Sequence, residues 1–214
     1  MTAAQHLLSR RKLLVAATSV TALIGPARPA KAETTPELSV TEALRNRRST
    51  RAFADRVIDP ALLAEVLWAA FGINRPDSGM HTAPSWHGAQ DVSVHVATAD
   101  GILAYDPVTN SAAVVKPEDI RKNLSPQPFV ATAPACLIFV SNLDKFEAAK
   151  TEDEKRLWAT VDAAIASENV YVFAAARGLG TCLVGGLDRA AVTDSLGLAP
   201  MLYATFVQPI GWPA

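Results

Sequence analysis

The sequence predicts an α+β fold in which helices pack on a sheet. Helical and strand-like segments mix along the chain without the regular strand–helix–strand rhythm of a doubly wound fold. The 214 residues are 50% hydrophobic and 19% charged, which is typical of a globular protein with a buried core and not of a disordered chain. The length fits one domain, or two very small ones.

Charge and cysteine content exclude several classes of protein. The chain carries 20 basic and 21 acidic residues, a net charge of −1 that does not suggest a nucleic-acid binder. Its two cysteines, Cys136 and Cys182, are too few for a disulfide scaffold. Each lies in an apolar segment, so buried thiols are predicted, and a disulfide between them stays open. No metal site is predicted, because no cysteine or carboxylate spacing accompanies the histidines.

The first 32 residues have the composition of an export signal. They contain five basic residues and no acidic one, so residues 33–214 carry 15 basic and 21 acidic residues, a net charge of −6. The basic string Arg10-Arg11-Lys12 precedes an apolar run over residues 13–24, shorter than the ~20 residues of a membrane span. Ala30-Lys31-Ala32 matches the small-x-small cleavage rule.

This head resembles a twin-arginine signal peptide. The resemblance predicts a signal over residues 1–32, a folded domain over residues 33–214, and a periplasmic or secreted protein. An ordinary secretory signal and an uncut membrane anchor remain open alternatives.

Two capped helices are predicted to begin the folded domain. Ser39 and Glu42 form a capping-box pattern before a helix over residues 40–46. Asp59 and Pro60 give an N-cap followed by proline at the first helical position. The apolar face of this second helix comprises Leu62, Leu63, Val66, Leu67 and Ala70. Residues 72–91, rich in Gly, Pro, Ser and His, then predict a long loop.

Strand patterns follow in the middle of the chain. Residues 92–97 alternate and contain β-branched side chains, which predicts a strand. Residues 102–105 predict a second strand, ending in an Asp106-Pro107 turn. Residues 137–140 form a short apolar run that predicts a buried strand.

The last third of the chain mixes helix and strand patterns. A long helix over residues 152–177 is predicted to end at Gly178. Residues 181–184 and 202–210 predict the last strands, with a helix over residues 188–196 between them.

One cluster of basic residues interrupts this acidic domain. Five of its 15 positive charges lie within residues 45–56. They are Arg45, Arg47, Arg48, Arg51 and Arg56. Guanidinium groups beside the Ser49 hydroxyl suit a phosphate, because arginine offers a planar bidentate donor. A solvated basic face, or a set of partners for the surplus acids, is the alternative.

A second candidate feature is a glycine pair after the predicted strand at 181–184. Gly178 and Gly180 are explained by a helix end and a tight entry into that strand. Gly185 and Gly186 allow a flat ligand to approach the backbone closely, or form a simple turn. The spacing is not that of a dinucleotide-binding fingerprint.

Taken in order, these features resemble the nitroreductase family of flavoenzymes, and within it the SagB-type dehydrogenases. The resemblance covers residues 41–212. The segments that carry it are Arg47-Arg48-Ser49-Thr50-Arg51-Ala52-Phe53, Leu67-Trp68-Ala69-Ala70-Phe71-Gly72-Ile73, Thr82-Ala83-Pro84-Ser85 with Gly88-Ala89, Gly101-Ile102-Leu103-Ala104-Tyr105-Asp106-Pro107, Asn169-Val170-Tyr171, and Gly178-Leu179-Gly180-Thr181-Cys182 with Gly185-Gly186.

The resemblance implies a three-layer α-β-α sandwich with a mixed sheet, working as a homodimer with one FMN in each of two interface sites. By motif, Arg47 and Ser49 hold the FMN phosphate and ribityl chain, and Arg48 helps from the phosphate side. Arg51 lies near N1 and O2 of the flavin, where a fixed cation stabilises the charge of the reduced state.

Three further groups of residues complete the implied site. Pro84, Ser85 and Gly88 reach the flavin from the partner subunit. One flavin edge is lined by Leu183, Val184, Gly185 and Gly186. Gln127 falls near the position of a pyrimidine-contacting asparagine. No catalytic side chain is implied, because flavin N5 carries the chemistry.

The implied function is hydride transfer through flavin N5 to or from a small planar acceptor of the nitroaromatic or quinone type. Oxidation of a C–N bond or azoline ring is one alternative. A non-catalytic flavin-binding protein is another, because a basic pair that many relatives carry after the last strand is absent here. The electron donor is expected to be NAD(P)H in the cytoplasm, and a quinol or redox protein after export.

Overall fold

The computed structural model describes residues 38–214. The predicted signal, residues 1–32, lies outside the described residues, so the domain boundary and the localisation stay predictions. Within residues 38–214, no helix combines the length and the apolar character that a membrane crossing requires.

The described range contains five α-helices and eight strands. The helices are α1 (Val40–Asn46), α2 (Pro60–Phe71), α3 (Pro128–Thr132), α4 (Glu152–Ala176) and α5 (Arg189–Leu196). The strands are β1 (Ile73–Arg75), β2 (Met80–His81), β3 (Val92–Thr98), β4 (Gly101–Asp106), β5 (Ser111–Lys116), β6 (Ala135–Asn142), β7 (Gly180–Thr181) and β8 (Leu202–Gly211).

The predicted helix ends are confirmed at the level of individual hydrogen bonds. The Glu42 amide donates to Ser39 Oγ at 3.3 Å, and the Ser39 amide donates to the Glu42 carboxylate at 3.0 Å, which completes the capping box of α1. The Ala61 amide donates to the Asp59 carboxylate at 2.8 Å at the start of α2. After α4, Gly178 adopts a left-handed φ of 70°, which glycine tolerates without strain.

Six strands form the main sheet in the order β5-β4-β3-β6-β8-β7, and every pair of neighbouring strands is antiparallel. One parallel bridge, between Ser49 and Thr181, joins the segment after α1 to the β7 edge. The sheet is therefore mixed, and its parallel contact involves the arginine cluster.

The strand β6 shows why the domain has three layers. Its side chains alternate between two cores: Leu137 and Phe139 pack with residues of α2 and α4, whereas Ile138 and Val140 pack with residues of α3 and α5. A strand buried on both faces reads as a continuous apolar run, which is the pattern seen in the sequence. The α-β-α sandwich expected from the resemblance is confirmed.

Three local expectations need correction. The predicted loop at 72–91 contains the β1–β2 hairpin and a short 3₁₀ helix, Trp86–Gly88. Strand β5 and helix α3 were not predicted; the exposed β5 has no alternating apolar pattern, and α3 has only five residues. The strand predicted at 181–184 is paired only at β7 and at an isolated bridge between Val184 and Val207.

The two cysteines are buried and free, as predicted. Cys136 on β6 lies opposite Pro209 on β8, and on the other side of β8 the Cys182 amide donates to the Pro209 carbonyl at 3.3 Å. Two strand spacings of about 4.8 Å therefore separate them. Because a disulfide requires Cα atoms within about 7 Å, this register excludes the pairing left open by the sequence.

Candidate functional site

The arginine-rich segment is fixed along one edge of the sheet. Its first residue, Arg47, ends α1, where its amide donates to the Ala43 carbonyl at 2.8 Å. The chain then runs beside β7, and the Thr50 amide donates to the Thr181 carbonyl at 2.9 Å. Ser49 therefore sits at the sheet edge, beside the chain that leads to the glycine pair.

Tyr171, on α4, joins the two features that the sequence singled out. Its hydroxyl oxygen accepts a hydrogen bond from the Leu183 amide at 2.7 Å and lies 3.3 Å from Ser49 Oγ. The guanidinium carbon of Arg47 lies 5.3 Å from the centre of its ring. One buried side chain thus contacts the basic segment and the chain that precedes Gly185.

Sequence reasoning did not place Tyr171 in the site. An aromatic residue in the apolar stripe of a long helix is typical of a core position, and its ring is indeed buried. The available signal was its place in the Asn169-Val170-Tyr171 segment of the resemblance. The contact with Leu183 could not be inferred from spacing alone.

Ion pairs within residues 38–214 do not neutralise the positive charges of the arginine-rich segment. Among residues 38–214, the side chains of Arg45, Arg47, Arg48 and Arg51 form no ion pair with a carboxylate. The Arg48 guanidinium donates to the carbonyls of Arg45 and Arg47 at 2.8 and 2.9 Å, so it caps α1. Within residues 38–214, this cluster therefore does not neutralise the surplus acids through direct ion pairs.

Arg56 differs from the other four arginines. Its guanidinium lies over the Trp212 ring, 3.9 Å from the ring centre, so it packs on the C-terminal segment. Of the remaining four arginines, Arg48 borders an open cavity of about 550 Å³. Its lining includes Arg48, Thr50, Tyr171 and Thr181.

The glycine pair exposes backbone next to Gln127. The Ser125 hydroxyl donates to the Gly186 carbonyl at 2.7 Å. A Cβ built on Gly186 would lie 3.5 Å from the Gln127 side-chain nitrogen, so the structure brings Gln127 beside the pair. Within the described part of the chain, the amides of Gly185 and Gly186 have no hydrogen-bond acceptor.

Glycine is not required here by backbone conformation. Neither Gly185 nor Gly186 has a positive φ, and a Cβ on either would make only ordinary contacts, the nearest at 3.6 and 3.5 Å. The turn interpretation gives no reason for two glycines under these conditions. Two exposed amide donors without side chains fit a flat ligand that approaches the backbone closely.

The third predicted group lies elsewhere in the same chain. Pro84, Ser85 and Gly88 belong to a loop whose Trp86 amide donates to the Asp162 carboxylate. Asp162 precedes Tyr171 by nine residues on α4, roughly 13 Å along the helix axis. The structure therefore does not bring these residues to Arg47 and Ser49 of their own chain.

An open cavity of about 720 Å³ borders the glycine pair on its other side. Its lining includes Gly186, Ser125, Lys122 and Arg189. Small-molecule sites commonly have volumes of about 300–1,000 Å³. The glycine backbone thus has an accessible space beside it.

The fold and the site define the class of protein. It is a three-layer α+β domain with an exposed glycine pair beside a segment whose arginines form no ion pair among residues 38–214. The sequence profile of the nitroreductase family matches residues 44–212. The chain belongs to the nitroreductase family, and its general activity is that of an oxidoreductase of this family.

Individual relatives agree with this assignment. The chain is similar to the crystal structure of a candidate nitroreductase of Ralstonia eutropha, with 30% identity, 89% of this chain and 87% of that chain covered, and a TM-score of 0.78. A protein of Methanocaldococcus jannaschii named as a candidate nitroreductase is 25% identical over 82% of this chain and 91% of its own. A Streptococcus pneumoniae family member has the same fold at 15% identity, with 82% and 91% covered and a TM-score of 0.62.

Proposed function

We propose that the protein is an FMN-dependent oxidoreductase that transfers hydride to or from a small planar acceptor of the nitroaromatic or quinone type. The observation that carries this proposal is the Tyr171 bridge. On one side Tyr171 contacts Arg47, which forms no ion pair among residues 38–214. On the other side it binds the chain that leads to the exposed amides of Gly185 and Gly186. A ligand with a phosphate at one end and a flat ring at the other matches both features.

The residues present fit FMN. Arg47 and Ser49 offer a charge and a hydroxyl for the phosphate, and charge-assisted hydrogen bonds of this kind are the stronger ones. Arg48 is held against α1 carbonyls, so its contribution is electrostatic. Arg51 would supply a cation to the pyrimidine side of the ring, and Gln127 would offer an amide near Gly186. When bound, FMN supplies two-electron redox chemistry at N5.

The chain's own residues supply position and access. The amides of Gly185 and Gly186 are donors for the ring edge, and the Leu183 amide is committed to Tyr171, so it fixes the path of this segment. Val184 is held by its bridge to Val207. The cavity beside Gly186 admits a planar acceptor to the ring. No general acid of fixed identity is needed for this chemistry.

The proposal includes a homodimer. Val40 and Leu44 on α1 are 69% and 54% exposed, and Trp68 on α2 is 40% exposed. Together with Phe173 of α4, Val40 and Trp68 line an open, largely apolar cavity. A second copy covering this face would bring its own Pro84, Ser85 and Gly88 to the flavin, which accounts for their distance from Arg47.

We further propose that residues 1–32 export the protein by a twin-arginine route. A periplasmic enzyme lacks a maintained NAD(P)H pool, so a quinol, a redox protein or the substrate itself would then supply electrons. Cell fractionation with N-terminal sequencing of the purified protein tests this point. Cytoplasmic protein that retains residue 1 and turns over rapidly with NADPH would overturn it.

Two alternatives make different predictions. A SagB-like dehydrogenase would reduce its flavin with an azoline or C–N substrate and pass the electrons to O₂. A non-catalytic family member would bind flavin weakly and show neither reaction. Rapid reduction of bound flavin, followed by reoxidation by a nitroaromatic or a quinone, separates the main proposal from both.

The first experiment is a visible absorption spectrum of the purified protein, with identification of any released chromophore. Bound oxidised flavin released as FMN is the expected result. The variants Arg47→Ala and Ser49→Ala should lose the chromophore, whereas Arg45→Ala, a matched loss of charge in the same cluster, should retain it. A colourless protein that does not take up added FMN contradicts the proposal.

A further inference from the structure

The loop of residues 85–90 is held in an unusual conformation. His87 and Gln90 have left-handed φ values of 50° and 49°, and Gly88 has 70°. Non-glycine residues rarely adopt this region, and they persist there only when their surroundings hold them. The loop therefore depends on the contacts that fasten it.

The contacts of this loop include three that fasten it to the rest of the domain and one, between Gln90 and Ser85, that lies within the loop. The Trp86 amide donates to both Asp162 oxygens, at 2.8 and 3.1 Å. The Trp86 ring stacks on Trp158, one turn before Asp162 on α4, with ring centres 5.2 Å apart. The Gln90 amide donates to Ser85 Oγ at 2.8 Å, and the Lys145 ammonium donates to the Gln90 carbonyl at 2.6 Å.

A pair of buried acids lies beneath the loop. Asp91 follows the loop directly and is 3% exposed, and Asp162 is 2% exposed. The two carboxyl groups are close enough for each to affect the pKa of the other. Among residues 38–214, neither side-chain oxygen of Asp91 receives a hydrogen bond from a protein donor. Two ionised carboxylates in this position would repel each other without compensation.

Among residues 38–214, no basic side chain pairs with either carboxyl group. Ser141 of β6 and the Trp86 amide are the neutral groups at the pair. Lys145 is bonded to the Gln90 carbonyl. On α4, the nearest basic side chains, Lys155 and Arg156, pair with Glu152 and Asp153. His87 is on the exposed loop. Burial, then the contact with Asp162, raises the pKa of Asp91 to about 7, and burial raises the pKa of Asp162.

We propose that Asp91 and Asp162 share one proton, and that this protonated pair positions the 85–90 loop through the Trp86 amide. With the proton in place, Asp91 donates to Asp162, and Asp162 keeps an acceptor for Trp86. Loss of the proton to solvent leaves two adjacent negative charges in a buried site. Hydration of these charges then requires the loop to open.

The expected effect of the loop on FMN binding rests on the proposed function, whereas the shared proton and the position of the loop do not. The loop carries Ser85 and Gly88, which the proposal assigns to the flavin of the second subunit. Opening of the loop should therefore weaken FMN binding as well. The state of the loop itself can be measured without any flavin.

The primary test is hydrogen exchange of the Trp86 amide in the full-length protein, corrected for intrinsic rates, between pH 5.5 and 8.5. In the wild type, protection should fall by up to about tenfold per pH unit as the pH rises toward the titration of the pair, and it should level off above that titration. Asp91→Asn, which keeps a permanent donor to Asp162, should remove this pH dependence and retain protection. Asp153→Asn, on the same helix but solvent-exposed, should behave as the wild type does.

FMN affinity across the same pH range is the second measurement. It should weaken with rising pH in the wild type and stay constant in Asp91→Asn. Failure of FMN binding alone would count against the proposed function and leave the exchange result intact. Identical pH profiles of Trp86 protection in the wild type and in Asp91→Asn would overturn the shared proton. Asp162→Ala should release the loop at every pH; unchanged protection would overturn the role of Asp162.

Discussion

The candidate site has two halves, the Arg47–Ser49 segment and the loop of residues 85–90, and both contact helix α4. A tyrosine hydroxyl makes the contact in the first half, and a buried carboxyl group makes it in the second. Toward the C-terminal end of α4, the Tyr171 hydroxyl contacts the Arg47–Ser49 segment, and among residues 38–214 the arginines of this segment form no ion pair. Roughly 13 Å away, the buried carboxyl of Asp162 holds the 85–90 loop. The difference teaches that one half of the site should be indifferent to pH near neutrality, while the other half should depend on it.

The pH dependence of stability tests the acid-held half and has the largest expected effect. Because the pKa of Asp91 is raised from 3.8 to about 7, the folded protein binds more protons than the unfolded chain between these values. The free energy of unfolding should therefore fall as pH rises through this window, by up to about 1.4 kcal/mol per pH unit. Urea unfolding from pH 4.5 to 7.5 measures this slope.

Asp91→Asn should flatten that slope, and Asp153→Asn should leave it unchanged. An equally steep slope in Asp91→Asn would assign the dependence to other groups and would remove the contrast between the two halves.

Arg47→Ala tests the cation-held half. Loss of a charged hydrogen-bonding partner of the phosphate should raise the FMN dissociation constant by about 10- to 100-fold, because such bonds contribute about 1.5–3 kcal/mol. The ratio to the wild type should be the same at pH 6 and pH 8. Fluorescence titration measures it, with Arg45→Ala expected near the wild type. If both variants lost FMN affinity equally, the positive charge of the whole cluster, and not a specific contact of Arg47, would account for the binding.

Tyr171→Phe tests the link between the basic segment and the glycine pair. Removing the hydroxyl leaves the Leu183 amide without its acceptor, which should cost about 1–3 kcal/mol of folding free energy. Tyr203→Phe is the matched control, because the Tyr203 hydroxyl makes no hydrogen bond to a described residue, and its cost should be within about 0.5 kcal/mol. Equal free energies of unfolding for the two variants would show that the hydrogen bond between the Leu183 amide and the Tyr171 hydroxyl does not stabilise the fold.

The glycine variants should show the smallest effect on stability. Gly186→Ala places a methyl group 3.5 Å from Gln127, so the free energy of unfolding should change by less than about 0.5 kcal/mol while FMN binding weakens. Gly180→Ala places its methyl group 2.6 Å from a Thr50 methyl carbon, and it should destabilise by about 1–3 kcal/mol. A Gly186→Ala protein with wild-type FMN affinity would show that the ligand does not approach this backbone.

Local sequence signals predicted most of the fold. The capping residues Ser39 and Asp59 and the terminal Gly178 act within a few residues, so the bounds of α1, α2 and α4 followed from them. The exposed β5 lacked such a signal, because Ala112 is its only residue that packs against a core cluster among the described residues. The identity of β7 as a short edge strand depended on pairing with β8, which no local pattern encodes.

The sequence predicted the site residues that lie close together in short motifs. It did not predict the contacts between residues that are far apart in the chain. Arg47, Ser49 and the glycine pair form short motifs, whereas the position of Gln127 beside Gly186 follows from the packed structure. Tyr171 meets Leu183 only because α4 packs against the sheet edge. Asp91 and Asp162 are 71 residues apart, so their contact is a property of the packed domain.

The register across β8 also determines how the chain responds to oxidants. Cys136 and Cys182 flank Pro209 from opposite sides, and burial raises the pKa of the Cys136 thiol to about 12. A thiol of this kind is almost entirely protonated at neutral pH and reacts slowly with disulfides and peroxides. The covalent structure of the folded domain should therefore be the same in a reducing and in an oxidising compartment, and its folding should need no thiol–disulfide isomerase.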